Sequence, residues 1–178
     1  MTSRVQTIWT QDGFTLVELS IVILLLSFAL LFSIPRYADV LGGQRLKSSG
    51  HLITGMVRYV YDQATAKRRI YRLNYALQEG QLWISFLNDE GEFVDDLSPL
   101  GRRQQLLTGV RFEDVITPTE KVKEGKTYTQ FFPTGLVEKG IVHLRSEEGE
   151  QLTLFIHSLS GRVKLEPGYR DEEMVAAR

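Results

Sequence analysis

One carboxylate stands inside an otherwise apolar run. Between Phe14 and Pro35 the sequence carries a single charge, Glu18. A carboxylate in such a setting costs on the order of 3 kcal/mol on membrane-insertion scales and calls for a cation. No Lys or Arg lies within helical reach before Arg36. The cation must then come from another chain, or from a new amine made by cutting this chain just upstream. The plainer alternative keeps Glu18 one turn from the helix start, level with lipid headgroups.

Other residue types that do chemistry are scattered. The histidines are His51, His143 and His157. His51 falls on a predicted helix. A tight turn at Glu147–Glu150 pairs His143 with about Thr153, which leaves His157 too far away to share a metal with it. Each reads as a surface or sheet-face residue. Ser158 and Ser160 flank a turn, and no Gly-x-Ser-x-Gly elbow is present. Asp95-Asp96 and Glu147-Glu148 lack calcium-loop spacing and read as solvated turns. No Gly-Lys-Ser/Thr follows Gly42-Gly43 or Gly101, which excludes a phosphate loop. Arg68-Arg69 suits a helix C-terminus through the macrodipole. With Arg102-Arg103 it makes too small a patch for nucleic acid. The sequence therefore predicts no catalytic residue, no metal and no cofactor.

The element that carries Glu18 is long enough to span a bilayer, since about 20 apolar residues cross the hydrocarbon core as a helix. A core helix of a soluble domain has a polar face, and this segment has none. A secretory signal has a shorter apolar core and a small-residue cut site after it. Ser33-Ile34-Pro35-Arg36-Tyr37 offers no such site. Charge bias alone points the other way on orientation. Arg4 precedes the span, whereas Arg36, Arg45 and Lys47 follow it, and the positive-inside rule would hold the larger part in the cytoplasm.

Gly13-Phe14-Thr15-Leu16-Val17-Glu18, followed by the apolar run, resembles the processing site of type IV pilins and type II secretion pseudopilins. The resemblance implies cleavage between Gly13 and Phe14 by prepilin peptidase and N-methylation of Phe14. It implies that Glu18 pairs with the N-terminal amine of a neighbouring subunit during assembly. It places Pro35 where many pilins carry a helix proline, and it sets the orientation with the leader inside and the domain in the periplasm. The leader departs from the family's usual basic ending, closing on Thr10-Gln11-Asp12.

The chain has 178 residues, a formal net charge of -1 and no cysteine. Near-neutral charge argues against a general polyanion binder. After the leader and span, enough chain remains for one domain with its own core, held by packing alone.

Residues 1–13 are expected to be a leader and 14–36 a transmembrane and filament-core helix. Pro35 lacks an amide hydrogen and predicts a kink near 31–36. Residues 37–69 form the second half of the same helix. There Leu52, Ile53, Met56, Val57 and Val60 recur at helical spacing. The helix stops around 65–69, giving about 50 residues or roughly 75 Å. Residues 70–166 read as a β-rich domain. Alternation in Tyr71–Leu77, the Glu79-Gly80 turn and Gln81–Phe86 predict a hairpin. Residues 93–105 read as irregular, Leu106–Phe112 as a strand, 117–126 as a charged loop and Tyr128–Phe132 as a strand. Gly140–Leu165 reads as a three-stranded meander. Residues 167–178 are expected to be a flexible tail.

A helix followed only by strands is an α+β order. With the Trp83 hairpin, Phe132-Pro133-Thr134-Gly135-Leu136 and the closing Gly161-Arg162-Val163, it resembles the H-type minor pseudopilins and FimT/FimU-like minor pilins (GspH/FimT-like). The implied function is a minor pseudopilin of a type II secretion system in the bacterial inner membrane. Its partners would be prepilin peptidase, other pilin or pseudopilin subunits through the N-terminal helix, the inner-membrane assembly platform and the lipid bilayer, with no nucleic acid. The alternatives are a minor pilin of a type IV pilus and an unprocessed single-pass anchored binding domain.

Overall fold

The computed structural model describes residues 14–171, with the side chains of 31–42 excepted. Two compact units divide the chain, 1–38 and 39–178. Helix α1 (Leu16–Lys67) contributes residues to both.

In the first unit α1 opens at Thr15, whose hydroxyl accepts from the Glu18 amide at 3.2 Å. Phe14, Leu16, Val17, Leu19, Ile21 and the apolar residues on to Leu30 are all exposed. The backbone is helical through Pro35 and Gly42-Gly43. Among the described residues no helix is long and apolar enough to cross a membrane. The expected span runs to residue 36, and its described side chains end at Leu30. Gly13 lies outside the described residues.

In the second unit α1 supplies one wall of the core. Ile53, Met56, Val57, Val60 and Ala64 recur at three- and four-residue spacing and are almost wholly buried. Burying each of the larger ones contributes about 1.5–3 kcal/mol. Leu52, expected with them, is partly buried at the edge. The helix ends where Arg68 takes φ 53°, the left-handed conformation that closes helix C-termini.

Two antiparallel sheets complete the core. The first holds β1 (Tyr71–Ala76), β2 (Gln81–Leu87), β3 (Phe93–Asp95), β4 (Gln104–Gln105) and β7 (Lys126–Phe131), in the order β3-β2-β1-β7 with β4 beside β2. The second holds β5 (Val110–Ile116), β6 (Lys121–Val122), β8 (Gly140–Ser146), β9 (Gln151–Ile156) and β10 (Val163–Pro167), in the order β10-β9-β8-β5-β6. The inner faces meet at Tyr75 and Phe112, whose rings stand edge to face at 5.8 Å. The Tyr75 hydroxyl is satisfied by Thr129 at 3.2 Å.

The 71–86 hairpin and the 140–165 meander form as the sequence predicts. The expected irregular stretch 93–105 contains β3 and β4, and the expected loop 117–126 contains β6 and the first residue of β7. The described part of the expected flexible tail, 167–171, is held in place. Pro167 closes β10, and Gly168 and Arg170 are hydrogen-bonded onto β9. Residues 172–178 lie outside the described residues.

Candidate functional site

The first candidate is the start of α1. Thr15-Leu16-Val17-Glu18 has the spacing of a capping box, with Thr at the N-cap and Glu three residues on. The Thr15 hydroxyl takes the Glu18 amide. The first helical bond runs from the Leu19 amide to the Thr15 carbonyl, 3.1 Å. Ser20 and Ser27 return their hydroxyls to the helix, to the carbonyls of Leu16 and Ile23, both at 2.8 Å. Such back-bonding hides a hydroxyl from an apolar medium. Phe14, 80% exposed, heads a row of outward apolar side chains. A contiguous apolar surface of this length is the mark of contact with lipid or with other chains.

Within 14–30 the polar side chains are Thr15, Glu18, Ser20 and Ser27. Three of them are satisfied by the helix itself. The Glu18 carboxylate alone has no hydrogen-bond or ion-pair partner among the described residues. Of the sequence-predicted site residues, Phe14 and Glu18 are thus on one exposed helix start. Gly13 and the side chain of Pro35 lie outside the described residues.

The second candidate is on the outer face of the second sheet, and sequence reasoning missed it. Alternation along β5 would send Asp114 into the core with Val110 and Phe112. A β-bulge prevents this. Phe112 pairs with Leu144 and Asp114 with His143, so Glu113 is an extra residue. A bulge of this kind re-aims the side chains beyond it. Phe112 and Val115 stay inside, while Glu113 and Asp114 both face outward. Glu113 accepts from Arg145 at 3.1 Å and Gln151 at 2.6 Å.

Asp114 is buried beside His143, with Nδ1 of the ring 2.6 Å from Oδ1. His143 and Thr153 are cross-strand neighbours, as the sequence predicts. His143 is not a surface residue, however, because the chain after β10 folds over it and leaves it 1% exposed. The Tyr169 ring stacks on the imidazole at 3.8 Å and 14°. Tyr169 donates its hydroxyl to Asp114 Oδ2 at 3.0 Å. Lys121 donates to the Tyr169 hydroxyl and stands 3.4 Å from Oδ2 of Asp114. Thr153 donates to the Gly168 carbonyl at 2.7 Å and accepts from the Arg170 amide at 2.9 Å. Burial is the largest cause pushing the Tyr169 phenol up. The hydrogen bond to Tyr169 is the largest cause pushing the Lys121 ammonium up.

This Asp–His pair does no hydrolytic chemistry as it stands. A base needs a free ring nitrogen facing a nucleophile, and the second nitrogen of His143 faces the Arg170 carbonyl at 3.1 Å. Among the described residues no group of three or more His, Asp or Glu is placed to hold a metal. His51 and His157 stand apart, both exposed. Asp95 is exposed on β3 and reaches Arg103 at 3.6 Å. The neighbouring Asp96 differs from the solvated turn expected there: its Oδ1 takes the Ser98 amide, and Oδ2 is buried. Arg103 lies over the Trp83 ring at 4.1 Å, and Arg69 pairs with Asp89 at 2.7 Å.

No family model matches the sequence. No curated protein matches it either. Solved structures do. A structure of the minor pseudopilin EpsH from the type 2 secretion system of Vibrio cholerae superposes with a TM-score of 0.58 at 11% identity, over 74% of this chain and 99% of that one. A second EpsH structure gives 0.56 at 10% identity, over 69% and 97%. The type IV minor pilin FimU of Pseudomonas aeruginosa gives 0.49 at 17% identity, over 70% and 90%. These neighbours are pilin and pseudopilin subunits and not enzymes. Nearly the whole of each EpsH chain is matched, so this chain has a pilin-like α+β fold.

Proposed function

We propose that the chain is a minor pseudopilin of a type II secretion system. It is made as a precursor, cut between Gly13 and Phe14 and N-methylated at Phe14 by prepilin peptidase. The segment 14–36 holds it in the bacterial inner membrane as a single span, kinked at Pro35, with the folded domain in the periplasm. From there it joins sister subunits on the inner-membrane platform to form a periplasmic pseudopilus that supports protein export. It works by packing and not by catalysis.

One observation carries this reading. On an exposed apolar helix start, every polar side chain but Glu18 is satisfied within the helix. A lone carboxylate in a low-dielectric setting is costly, and a matching cation converts that cost into strong attraction. The new amine of a neighbouring Phe14 supplies such a cation and fixes axial register.

The test is the intact mass of the membrane-extracted chain, together with a deletion strain. Loss of residues 1–13 and gain of one methyl supports the filament reading, and an uncut chain of full mass overturns it. In the deletion strain, loss of protein export with surface pili retained is expected. Loss of pili with export intact assigns the chain to a type IV pilus instead.

A further inference from the structure

The strap Gly168–Asp171 crosses the outer face of the second sheet, and its contacts fix where protons must sit. The Arg170 carbonyl can only accept, so Nε2 of His143 carries a proton. Asp114 takes the Tyr169 hydroxyl on Oδ2 with Lys121 beside it, which marks it as a carboxylate. Nδ1, at 2.6 Å from Oδ1, then carries a proton too. The imidazole lies between a carboxylate and the strap, with Tyr169 stacked on its face.

We propose that this strap is a proton-operated latch, closed while the buried His143–Asp114 pair holds one proton more than it needs when the strap is open. Remove that proton and one ring nitrogen presents a lone pair to an acceptor. If Nδ1 loses it, the lone pair faces the Asp114 carboxylate. If the tautomer switches, it faces the Arg170 carbonyl. Either way a buried polar contact becomes repulsive, and that cost is relieved by lifting the strap into water. Closed binds more protons than open, so rising pH opens the latch and falling pH closes it.

The charged and titratable groups around the ring are Asp114 and Glu113 from β5, Lys121 from β6, Arg145 from β8, Glu166 from β10, and Tyr169, Arg170 and Asp171 from the strap. Arg145 and Glu113 are paired with each other, and Glu166 takes Lys164 at 2.6 Å. Asp171 has one carboxylate oxygen buried without a hydrogen-bond partner. Thr153 holds the strap at Gly168 and Arg170 without titrating.

The experiment uses the full chain in detergent micelles with nitrogen-labelled histidine, titrated from acid to alkaline. His51 and His157 serve as exposed references. Two signals are followed together: the ring-nitrogen shifts of His143, and the contact between the His143 and Tyr169 rings. The expected result is imidazolium shifts at both nitrogens wherever the contact is present, with both signals lost in one transition as pH rises. A neutral His143 under a closed strap overturns the proposal, as does a contact that persists after the proton is lost. In Asp114→Asn the amide can donate to a neutral Nδ1, so the contact should survive the pH rise that opens the parent. If that variant does not fold, the coincidence of the two signals in the parent decides alone.

Discussion

The Glu18 amide is bound to the Thr15 hydroxyl at 3.2 Å, while the Glu18 carboxylate is unpaired among the described residues. Backbone and side chain of one residue are thereby assigned to different tasks. The amide closes the helix start, and the carboxylate is available for a second chain.

These tasks can be separated by substitution. Thr15→Ala removes the cap, which typically costs about 1 kcal/mol of local helix stability. It should fray the first turn and leave the pairing carboxylate in place. Glu18→Ala keeps the Thr15 cap on the backbone amide and removes the charge. It should leave cleavage and methylation intact while filament incorporation falls sharply. Crosslinking yield in membranes, measured beside intact mass, checks both. Wild-type incorporation of Glu18→Ala would mean that the carboxylate does not set register.

A bulky side chain at Gly13 should stall processing. The expected product of Gly13→Val is a membrane-held chain that retains residues 1–13 and the unmethylated Phe14. Mass spectrometry of the extracted chain decides, and normal trimming of that variant would move the cut elsewhere.

Gly161→Ala should destabilise the domain. Gly161 has φ 58°, and an added Cβ would lie 2.7 Å from Cδ2 and 3.0 Å from Cγ of Tyr61. The left-handed backbone alone costs an alanine roughly 1 kcal/mol, and the displaced ring adds to it. A fall of about 1–3 kcal/mol in unfolding free energy, measured by denaturant titration, is expected. Gly149 also has positive φ, but a Cβ there meets nothing within 4 Å. Its alanine variant should suffer only the backbone cost.

Alkaline pH should weaken the fold. Burial is the largest cause raising the phenols of Tyr75, Tyr71 and Tyr169, and Tyr75 moves far above the ordinary value. Unfolded tyrosines lose their protons near pH 10. Above that point the folded chain binds more protons than the unfolded one, so stability falls as pH rises. Melting temperatures recorded from neutral to strongly alkaline pH should drop, and Tyr75→Phe should make the drop shallower.

Local signals were legible where chemistry and register coincide within a few residues. Gly80, at φ 63°, turns the first hairpin, and β1 before it alternates between buried and half-buried from Tyr71 to Tyr75 as the sequence shows. The turn after Ser146 fixes its own register, which is why His143 meets Thr153. Strands β4 and β6 have two residues each, too short for any period to appear. Glu113-Asp114 reads as a break in alternation, and only the pairing on β8 reveals a bulge. The strap was the least legible element. Pro167-Gly168 looks like a stop signal, and its actual anchors, Thr153 and His143, are remote in sequence. For the same reason His143 passed as an ordinary sheet-face residue.

The extra residue in β5 has a consequence for how the domain tolerates change. Deleting Glu113 would leave Phe112, Asp114 and Val115 consecutive and paired one to one with Leu144, His143 and Val142, facing in, out and in as before. What would be lost is the bulge and the acceptor that Arg145 and Gln151 share. The spare residue gives this strand slack, so a single deletion should be tolerated better here than in β9, whose pairing with β8 has no residue to spare.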